Sequence, residues 1–453
     1  MTDLKNIKHV YFIGIGGIGM SALARFFRSR GVRVSGYDRT PSPLTRELEE
    51  SGAHITYVDS ADGVPADVDT VVFTPAIPAD NAIRAHFTAK GLTLMKRSDI
   101  LQVITAESFN ICIAGTHGKT TTSTMTAHLL RHSGYGCNAF LGGISANYKT
   151  NFWSDPRNTA VIEADEYDRS FLKLSPDLAV ISAMDPDHLD IYGTAEAMED
   201  AFIAFSARVR AGGTLFCRAG LKREKDLHAP RQLSYAGDGS RADVYASDLQ
   251  VVDGAYRYNV VGADWSIHGL ALHMGGLHNV ENSVAAIAIA HELGIAADKI
   301  KDAIATFRGV KRRFEQVVNR PGVIYVDDYA HHPEELRALI EGVRSLFPGK
   351  KCTVVFQPHL FTRTRDLADE FAQSLDLADE VVLLPIYPAR EKPIPGVNAN
   401  TILDRMRNPD RKVMEKEELM AWIGMQRPEL LVTAGAGDID QMTMPIADIM
   451  NKN

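Results

Sequence analysis
The stretch "IAGTHGKTTT" at residues 113–122 sets a lysine and a hydroxyl directly behind a glycine: Gly118, Lys119, Thr120. A lysine so placed neutralises the β- and γ-phosphates of a nucleoside triphosphate, and the adjacent hydroxyl suits Mg²⁺. The usual phosphate loop reads G-x-x-x-x-G-K-[ST], but here its first glycine position holds Ile113. Gly115 lies inside the loop, and with Gly118 it can supply the backbone freedom that Ile113 cannot. "FNICIAG" reads as a strand before the loop and "TTSTMTAHLLRHSG" as a helix after it, which is the context such a loop requires.

A second glycine loop comes earlier. In "IGIGGIGM", Gly14, Gly16 and Gly19 fit G-x-G-x-x-G, and Gly17 and Ile18 complete the turn into a helix. Backbone N–H groups at such a helix N-terminus approach a diphosphate. Asp38 closes the next strand and suits a ribose hydroxyl or a base edge. A hydride-transfer enzyme needs this loop alone and a kinase needs only the other. A ligase that activates a nucleotide-bearing substrate with ATP needs both, so an NAD-dependent dehydrogenase is the weaker reading.

Carboxylates and imidazoles follow the apolar runs. "VIEADEYD" carries Glu163, Asp165, Glu166 and Asp168; strand alternation would set Glu163 and Asp165 on one face. "AMDPDHLDIYG" brings His188 among acids at another strand end. Asn279 and Asn282 are three apart and share a helix face, although Asn279 also suits an N-cap. "KRRF" holds Arg312 and Arg313 at a segment junction. "DDYAHHPEE" and "QPHLFTRTRD" bring Asp327, Asp328, Tyr329, His331, His332, His359, Arg363 and Arg365 to strand ends. Ligands bind at the carboxyl ends of strands in open α/β sheets.

Three successive segments alternate strand and helix patterns, which predicts an α/β chain with parallel sheets. A length of 453 residues agrees with roughly three domains. The first segment ends near Ala106, and a strand-rich stretch covers roughly 230–275. The net charge of −8 argues against a nucleic-acid or anionic-membrane binder, so any polyanion must be held by local positive charge. The four cysteines form no C-x-x-C pair, which fits a reducing compartment. No apolar run is long enough to span a bilayer. The stretch "VYFIGIGGIGMSALA" has the outline of a signal peptide, but its glycines weaken the helix such a segment needs and serve the loop instead.

In combination these motifs resemble the Mur ligases of peptidoglycan synthesis over essentially the whole chain. "GIGGIGMSALA" resembles the family's UDP-binding loop, and "AGTHGKTTT" its ATP loop, which lacks the first Walker glycine. The resemblance implies a Rossmann-like N-terminal domain (1–106) binding the UDP substrate, a P-loop ATPase-like central domain with a mixed sheet (107–311), and a Rossmann-like C-terminal domain (312–453) binding the amino acid. It implies that Gly14, Gly16, Gly17, Ile18, Gly19 and Asp38 hold the UDP substrate. ATP would lie on Gly115, Thr116, His117, Gly118, Lys119, Thr120 and Thr121, with Asn279, Asn282 and Arg313. Thr120, Glu163 and His188 would serve Mg²⁺. Lys119, Glu163, His188, Arg313 and Asp328 form the implied catalytic set. Tyr329, His331, His359 and Arg363 would line the amino-acid pocket.

"QPHLFTRTRD" points to the branch that adds L-alanine to UDP-N-acetylmuramate, rather than the branch that adds a tripeptide. Leu360 departs from the arginine common at that position in the branch. The implied setting is cytoplasmic, with ATP and Mg²⁺ as cofactors, small-molecule substrates, no nucleic acid, no membrane insertion and no obligate protein partner.

Overall fold
The computed structural model describes residues 4–186, 189–239, 241–389 and 391–452. The chain divides into two compact units. The first comprises residues 1–246, 260–266 and 281–303; the second comprises 247–259, 267–280 and 304–453.

The first unit opens with a five-stranded parallel sheet ordered His54–Thr56, Arg33–Tyr37, His9–Ile13, Thr70–Phe73, Leu94–Lys96. His9–Ile13 is buried throughout, as the apolar run "VYFI" requires of a central strand. The chain order reverses beside it, so the first glycine loop leaves the sheet at a topological switch point. The helix Ile18–Ser29 follows directly.

A second sheet in this unit sets Arg231–Ala236, Thr214–Arg218, Leu178–Ile181, Phe109–Ala114, Thr159–Glu163 and Asn138–Ser145 side by side in parallel, with Thr150–Trp153 antiparallel at the edge. The expected mixed sheet is therefore present. Phe109–Ala114 lies between the strands that end at Ile181 and Glu163, so three strand ends converge on the phosphate loop. The strand Thr159–Glu163 stops at Glu163. Asp165 consequently lies in the following loop and does not share a strand face with Glu163. Asp38 likewise sits one residue past the strand Arg33–Tyr37.

The two sheets of this unit are joined through the helix Ile18–Ser29. Phe26 packs on Phe140 and Phe152, with ring centroids 5.6 and 6.1 Å apart. The fully buried Asn151 donates from Nδ2 to Ile18 O (2.6 Å) and to Ser21 Oγ (2.9 Å). These bonds satisfy the amide's N–H donors, while its buried Oδ1 accepts none among the described residues, so the side chain is held by its nitrogen alone.

On the helix Lys119–His132, His128 is 1% exposed. Its Nδ1 meets Tyr148 Oη and its Nε2 meets Ala303 O, each at 2.9 Å. A carbonyl only accepts, so Nε2 carries the proton and Nδ1 accepts from the tyrosine. Burial lowers the His128 pKa to about 4. The unfolded imidazole takes up a proton near pH 6.5 and the folded one does not. Stability is therefore full above about pH 6.5 and is lost as pH falls toward 4, by up to about 3 kcal/mol. Melting curves of wild type and His128→Gln between pH 7.5 and 4.5 check this. The variant should lose less stability on acidification, and parallel pH profiles would contradict the assignment.

In the second unit a six-stranded sheet runs Glu315–Arg320, Val323–Asp328, Leu430–Ala434, Cys352–Phe356, Glu380–Leu383, Arg411–Val413. It is parallel except for its first strand. Leu430–Ala434 and Cys352–Phe356 are buried along their whole length. Strands and turns alternate along the stretch 230–275 that the sequence marked as strand-rich, with Arg231–Ala236, Val244–Val252, Ala255–Val261 and Ser266–Leu272. No helix among the described residues is long and apolar enough to cross a membrane.

Candidate active site
The phosphate loop is built by close approach. Gly115 has φ +137°, and a Cβ there would collide with Ser182 Oγ. Gly118 has φ +81° and stands at the N-cap of the helix Lys119–His132; a Cβ on it would lie 2.7 Å from Asn282 Oδ1. Both positions therefore require glycine, for left-handed backbone and for space. Thr116 N donates to Ala183 O (3.1 Å) and Thr116 Oγ1 accepts from Asp185 N (3.1 Å), tying the loop to the neighbouring strand end. The exposed His117 lies 3.9 Å from Asp185, and Thr121 is buried on the helix.

Lys119 Nζ donates to Gly115 O (2.5 Å) and to Glu166 Oε1 (2.8 Å). The Glu166 side chain is 1% exposed and that of Lys119 14%. The loop lysine is thus held in place by a buried carboxylate. Tyr192 Oη fixes that segment by donating to Glu166 O (2.6 Å).

Thr120 Oγ1 donates to Glu163 Oε1 (3.0 Å), and Gly142 N donates to Glu163 Oε2 (3.0 Å). A Cβ on Gly142 would collide with that carboxylate. A hydroxyl and an anionic oxygen side by side next to a phosphate loop form a donor set that suits Mg²⁺, a hard cation with oxygen ligands. His188, the third ligand implied by the resemblance, lies outside the described residues. Asn282 accepts from Thr122 Oγ1 (3.1 Å) and so borders the loop's helix. Asn279 lies within the helix Leu277–Glu292, where its Nδ2 donates to Gly275 O (2.7 Å). It is not the N-cap, because the helix already starts two residues earlier.

At the first loop, Gly14 has φ +90°. Gly16 N donates to Asp38 Oδ2 (2.7 Å), and a Cβ on Gly16 would lie 2.8 Å from both Asp38 Oδ2 and Thr45 Cγ2. Gly17 is the N-cap of the helix Ile18–Ser29 without a side-chain cap, which leaves its first N–H groups open to an anion. A Cβ on Gly19 would collide with Arg97 Nη1. A Cβ on Gly14 would lie 2.7 Å from Thr74 Cγ2, so all three glycines of the fingerprint are demanded by neighbouring side chains as well as by any ligand. A cavity of about 110 Å³ begins at Ile18 and Gly19 and reaches Arg97, Glu163 and Asp165.

In the second unit, Asp328 Oδ2 accepts from Phe314 N (2.6 Å) and Oδ1 from Ala330 N (2.7 Å). Burial pushes the Asp328 carboxyl up to about 6 and that of Asp327 to about 7, against the opposing pull of Arg312 on Asp327. Arg312 lies 3.4 Å from Asp327 and covers the Tyr329 ring at 5.2 Å. Arg313 is exposed, and its backbone N donates to Val310 O (3.0 Å).

Rings from three strand ends form a ladder. Tyr329 and His331 lie 5.1 Å apart between centroids, His331 and His359 6.0 Å, and His359 and Tyr387 5.8 Å. Burial lowers the pKa of His331; burial and then the charge of Arg363 lower that of His359. Arg363 Nη1 lies 3.5 Å from His359 Nδ1. Asp366 binds Arg365 (2.6 and 3.0 Å), so a surface pair between Arg363 and Asp366 is not what is seen. Leu360 has φ +72° and caps the helix Phe361–Asp366, with its N–H on Tyr387 O (3.0 Å).

The Tyr329, His331, His359 and Arg363 anticipated from the sequence are therefore together, as are Lys119, Thr120 and Glu163. The sequence reading missed Arg97, Gly142, Ser182 and Tyr387. Of these, Ser182 alone carried a signal, at the polar end of the apolar run "LAVIS".

Three family models match successive parts of the chain. The family model described as "Mur ligase family, catalytic domain" matches residues 9–109. "Mur ligase middle domain" matches 113–290, and "Mur ligase, glutamate ligase domain" matches 312–437. A protein of Porphyromonas gingivalis named UDP-N-acetylmuramate–L-alanine ligase is 45% identical over 448 residues, covering 97% of this chain and 98% of that protein. One of the same name from Parabacteroides distasonis is 46% identical over 456 residues, covering 99% of each. The crystal structure of UDP-N-acetylmuramate-alanine ligase from Thermotoga maritima superposes with a TM-score of 0.81 at 28% identity, covering 97% of this chain and 98% of that one. A murein peptide ligase structure from Psychrobacter arcticus, at 22% identity and TM-score 0.64, shares the fold.

Proposed function
This chain belongs to the Mur ligase family, and from that membership we infer that it joins L-alanine to the lactyl carboxylate of UDP-N-acetylmuramate at the expense of ATP. The observation that carries the reading is the near-full-length identity to relatives of that name. The cluster of Lys119, Thr120 and Glu163 supports it with a site suited to a triphosphate.

The lactyl carboxylate attacks the γ-phosphorus, the bond to the bridging oxygen breaks, and an acyl phosphate and ADP result. The neutral amine of L-alanine then adds to the acyl carbon. The tetrahedral adduct loses a proton from its nitrogen and expels phosphate as the amide forms. Two polyanions must meet, so the site has to cancel their repulsion. In this reading Lys119 holds the β- and γ-phosphates, and the loop residues Gly115 to Thr121 wrap them with backbone N–H groups. Thr120 and Glu163, with His188, would hold Mg²⁺, which supplies charge neutralisation at the transferred phosphoryl group. Asn279, Asn282 and Arg313 take the rest of the nucleotide, and Asp328 orders the strand end beside Arg313.

The segment 1–106 takes the UDP substrate through Gly14, Gly16, Gly17, Ile18, Gly19 and Asp38; 107–311 takes ATP; 312–453 takes the amino acid through Tyr329, His331, His359 and Arg363. Nucleotide-activated substrates place the reaction in the cytoplasm. ADP release measured with UDP-N-acetylmuramate and a panel of amino acids and peptides tests the whole reading. Turnover should require both UDP-N-acetylmuramate and L-alanine. Turnover with a tripeptide in place of L-alanine would move the chain to the tripeptide-adding branch.

A further inference from the structure
Three ion pairs fasten the helix Arg97–Thr105 and its N-cap Lys96 to the segment Asp165–Lys173 behind Glu163. Lys96 meets Asp168 (2.7 Å), Arg97 meets Asp165 (3.0 Å), and Lys173 meets Asp99. The outer two lie outside the ring of residues that surrounds the cavity. Arg97 is different, because it lines the cavity itself. That cavity runs from Ile18 and Gly19, at the start of the helix that leaves the glycine loop, to Glu163 and Asp165. Gly19 leaves the room that the guanidinium occupies, since a Cβ there would collide with Nη1. Arg97 Nη2 donates to Asp165 Oδ2, while the side chain keeps 29% of its surface exposed.

Resting on the reading above, we propose that Arg97 is the residue that recognises the lactyl carboxylate of the UDP substrate, exchanging its bond to Asp165 for a bond to that carboxylate. A substrate whose diphosphate lies at the N-terminus of Ile18–Ser29 extends its sugar end along this cavity toward Glu163. Within the cavity lining, Arg97 is the cationic side chain, and Glu163 and Asp165 are acidic. A carboxylate entering between two acids is repelled unless a cation meets it. A guanidinium presents a planar fork of donors that matches a carboxylate bidentately. Asp165 sits in the place of that carboxylate when the substrate is absent, and so keeps the guanidinium aimed into the cavity. The exchange replaces one carboxylate partner by another of equal charge, so neither state leaves the guanidinium without a counter-ion. Arg97 thereby gives the site a means to distinguish UDP-N-acetylmuramate from UDP-N-acetylglucosamine, the same nucleotide sugar without the lactyl group.

The test is titration calorimetry of the full-length protein with each nucleotide sugar. Wild type should prefer UDP-N-acetylmuramate. In Arg97→Ala that preference should shrink by roughly ten- to a hundredfold, the worth of a charge-assisted contact. UDP-N-acetylglucosamine affinity should stay within about threefold, and thermal unfolding reports any loss of the ion pair to Asp165. Arg97→Lys should recover part of the preference, keeping charge but losing the fork. Equal losses for both sugars would make Arg97 a structural link between helix and loop and overturn the proposal. An unchanged preference would overturn it as well. Wild type that binds neither sugar would instead overturn the reading of the UDP site on which the proposal stands.

Discussion
Lys119→Ala is expected to lower ADP formation by at least roughly 10²–10³-fold, the usual consequence of removing one preorganised charge from a transferring group. The structure adds a second expectation. Lys119 is the cation bound to a carboxylate, Glu166, that is 1% exposed. Removing one partner of a buried pair costs about 3–5 kcal/mol, because the remaining charge keeps its desolvation without its attraction. The single variant should therefore also melt lower, by several degrees. Low activity alone would not separate a lost phosphate contact from a damaged loop.

Lys119→Ala combined with Glu166→Gln separates them. The double variant removes both charges, so its melting temperature should recover toward wild type, while its turnover stays as low as that of the single variant. Recovery of turnover together with stability would remove Lys119 from phosphate binding. ATP affinity in the Glu166→Gln single variant gives a further check. If Lys119 must loosen from Glu166 to meet phosphate, the neutral partner releases it more easily. ATP KM should then fall or hold, and should not rise.

The parts of the site written in consecutive residues were legible from sequence. Gly118, Lys119 and Thr120 need only a strand before them and a helix after, and both were visible as apolar patterning. Glu163 was legible because it closes an apolar run. Asp165 was misplaced by the same logic, since alternation says nothing about where a strand stops.

What was not legible depends on distant contacts. Arg97 reaches Asp165 across 68 positions, and Gly142 reaches Glu163 across 21. The strand Asn138–Ser145 holds two adjacent glycines, and the first of them, Gly142, leaves the space that the Glu163 carboxylate fills. The fingerprint glycines show the reverse limit. Gly16 and Gly19 matched a ligand motif correctly as letters. Their absent side chains, however, make room for Asp38, Thr45 and Arg97, which no reading of the spacing could reveal. Leu360 was visible as a departure from the family pattern. Its left-handed backbone was not, because leucine rarely adopts φ +72°.

Arg363→Ala should raise the KM for L-alanine by roughly ten- to a hundredfold, with the KM for ATP little changed. A free amino acid carries a carboxylate that must be held while its amine attacks, and Arg363 offers a planar pair of donors for it. The geometry leaves those donors available. The neighbouring acid, Asp366, is bound by Arg365 through two bonds, and Arg363 instead faces the ring nitrogen of His359 at 3.5 Å. Arg365→Ala is the matched control. It removes a guanidinium two residues away whose pair with Asp366 is exposed to solvent and screened by it, so the alanine KM should not move.

A second readout is independent of turnover. Burial and then the charge of Arg363 hold the His359 pKa down. Removing that charge should raise it, and imidazole NMR titration would follow the change directly. An alanine KM that stays put in Arg363→Ala, with normal turnover, would take the residue out of the pocket. A raised KM with an unmoved His359 titration would keep Arg363 as a carboxylate ligand and break only its electrostatic coupling to the ring. If the two change together, Arg363 sets both the substrate's position and the charge state of the imidazole beside it.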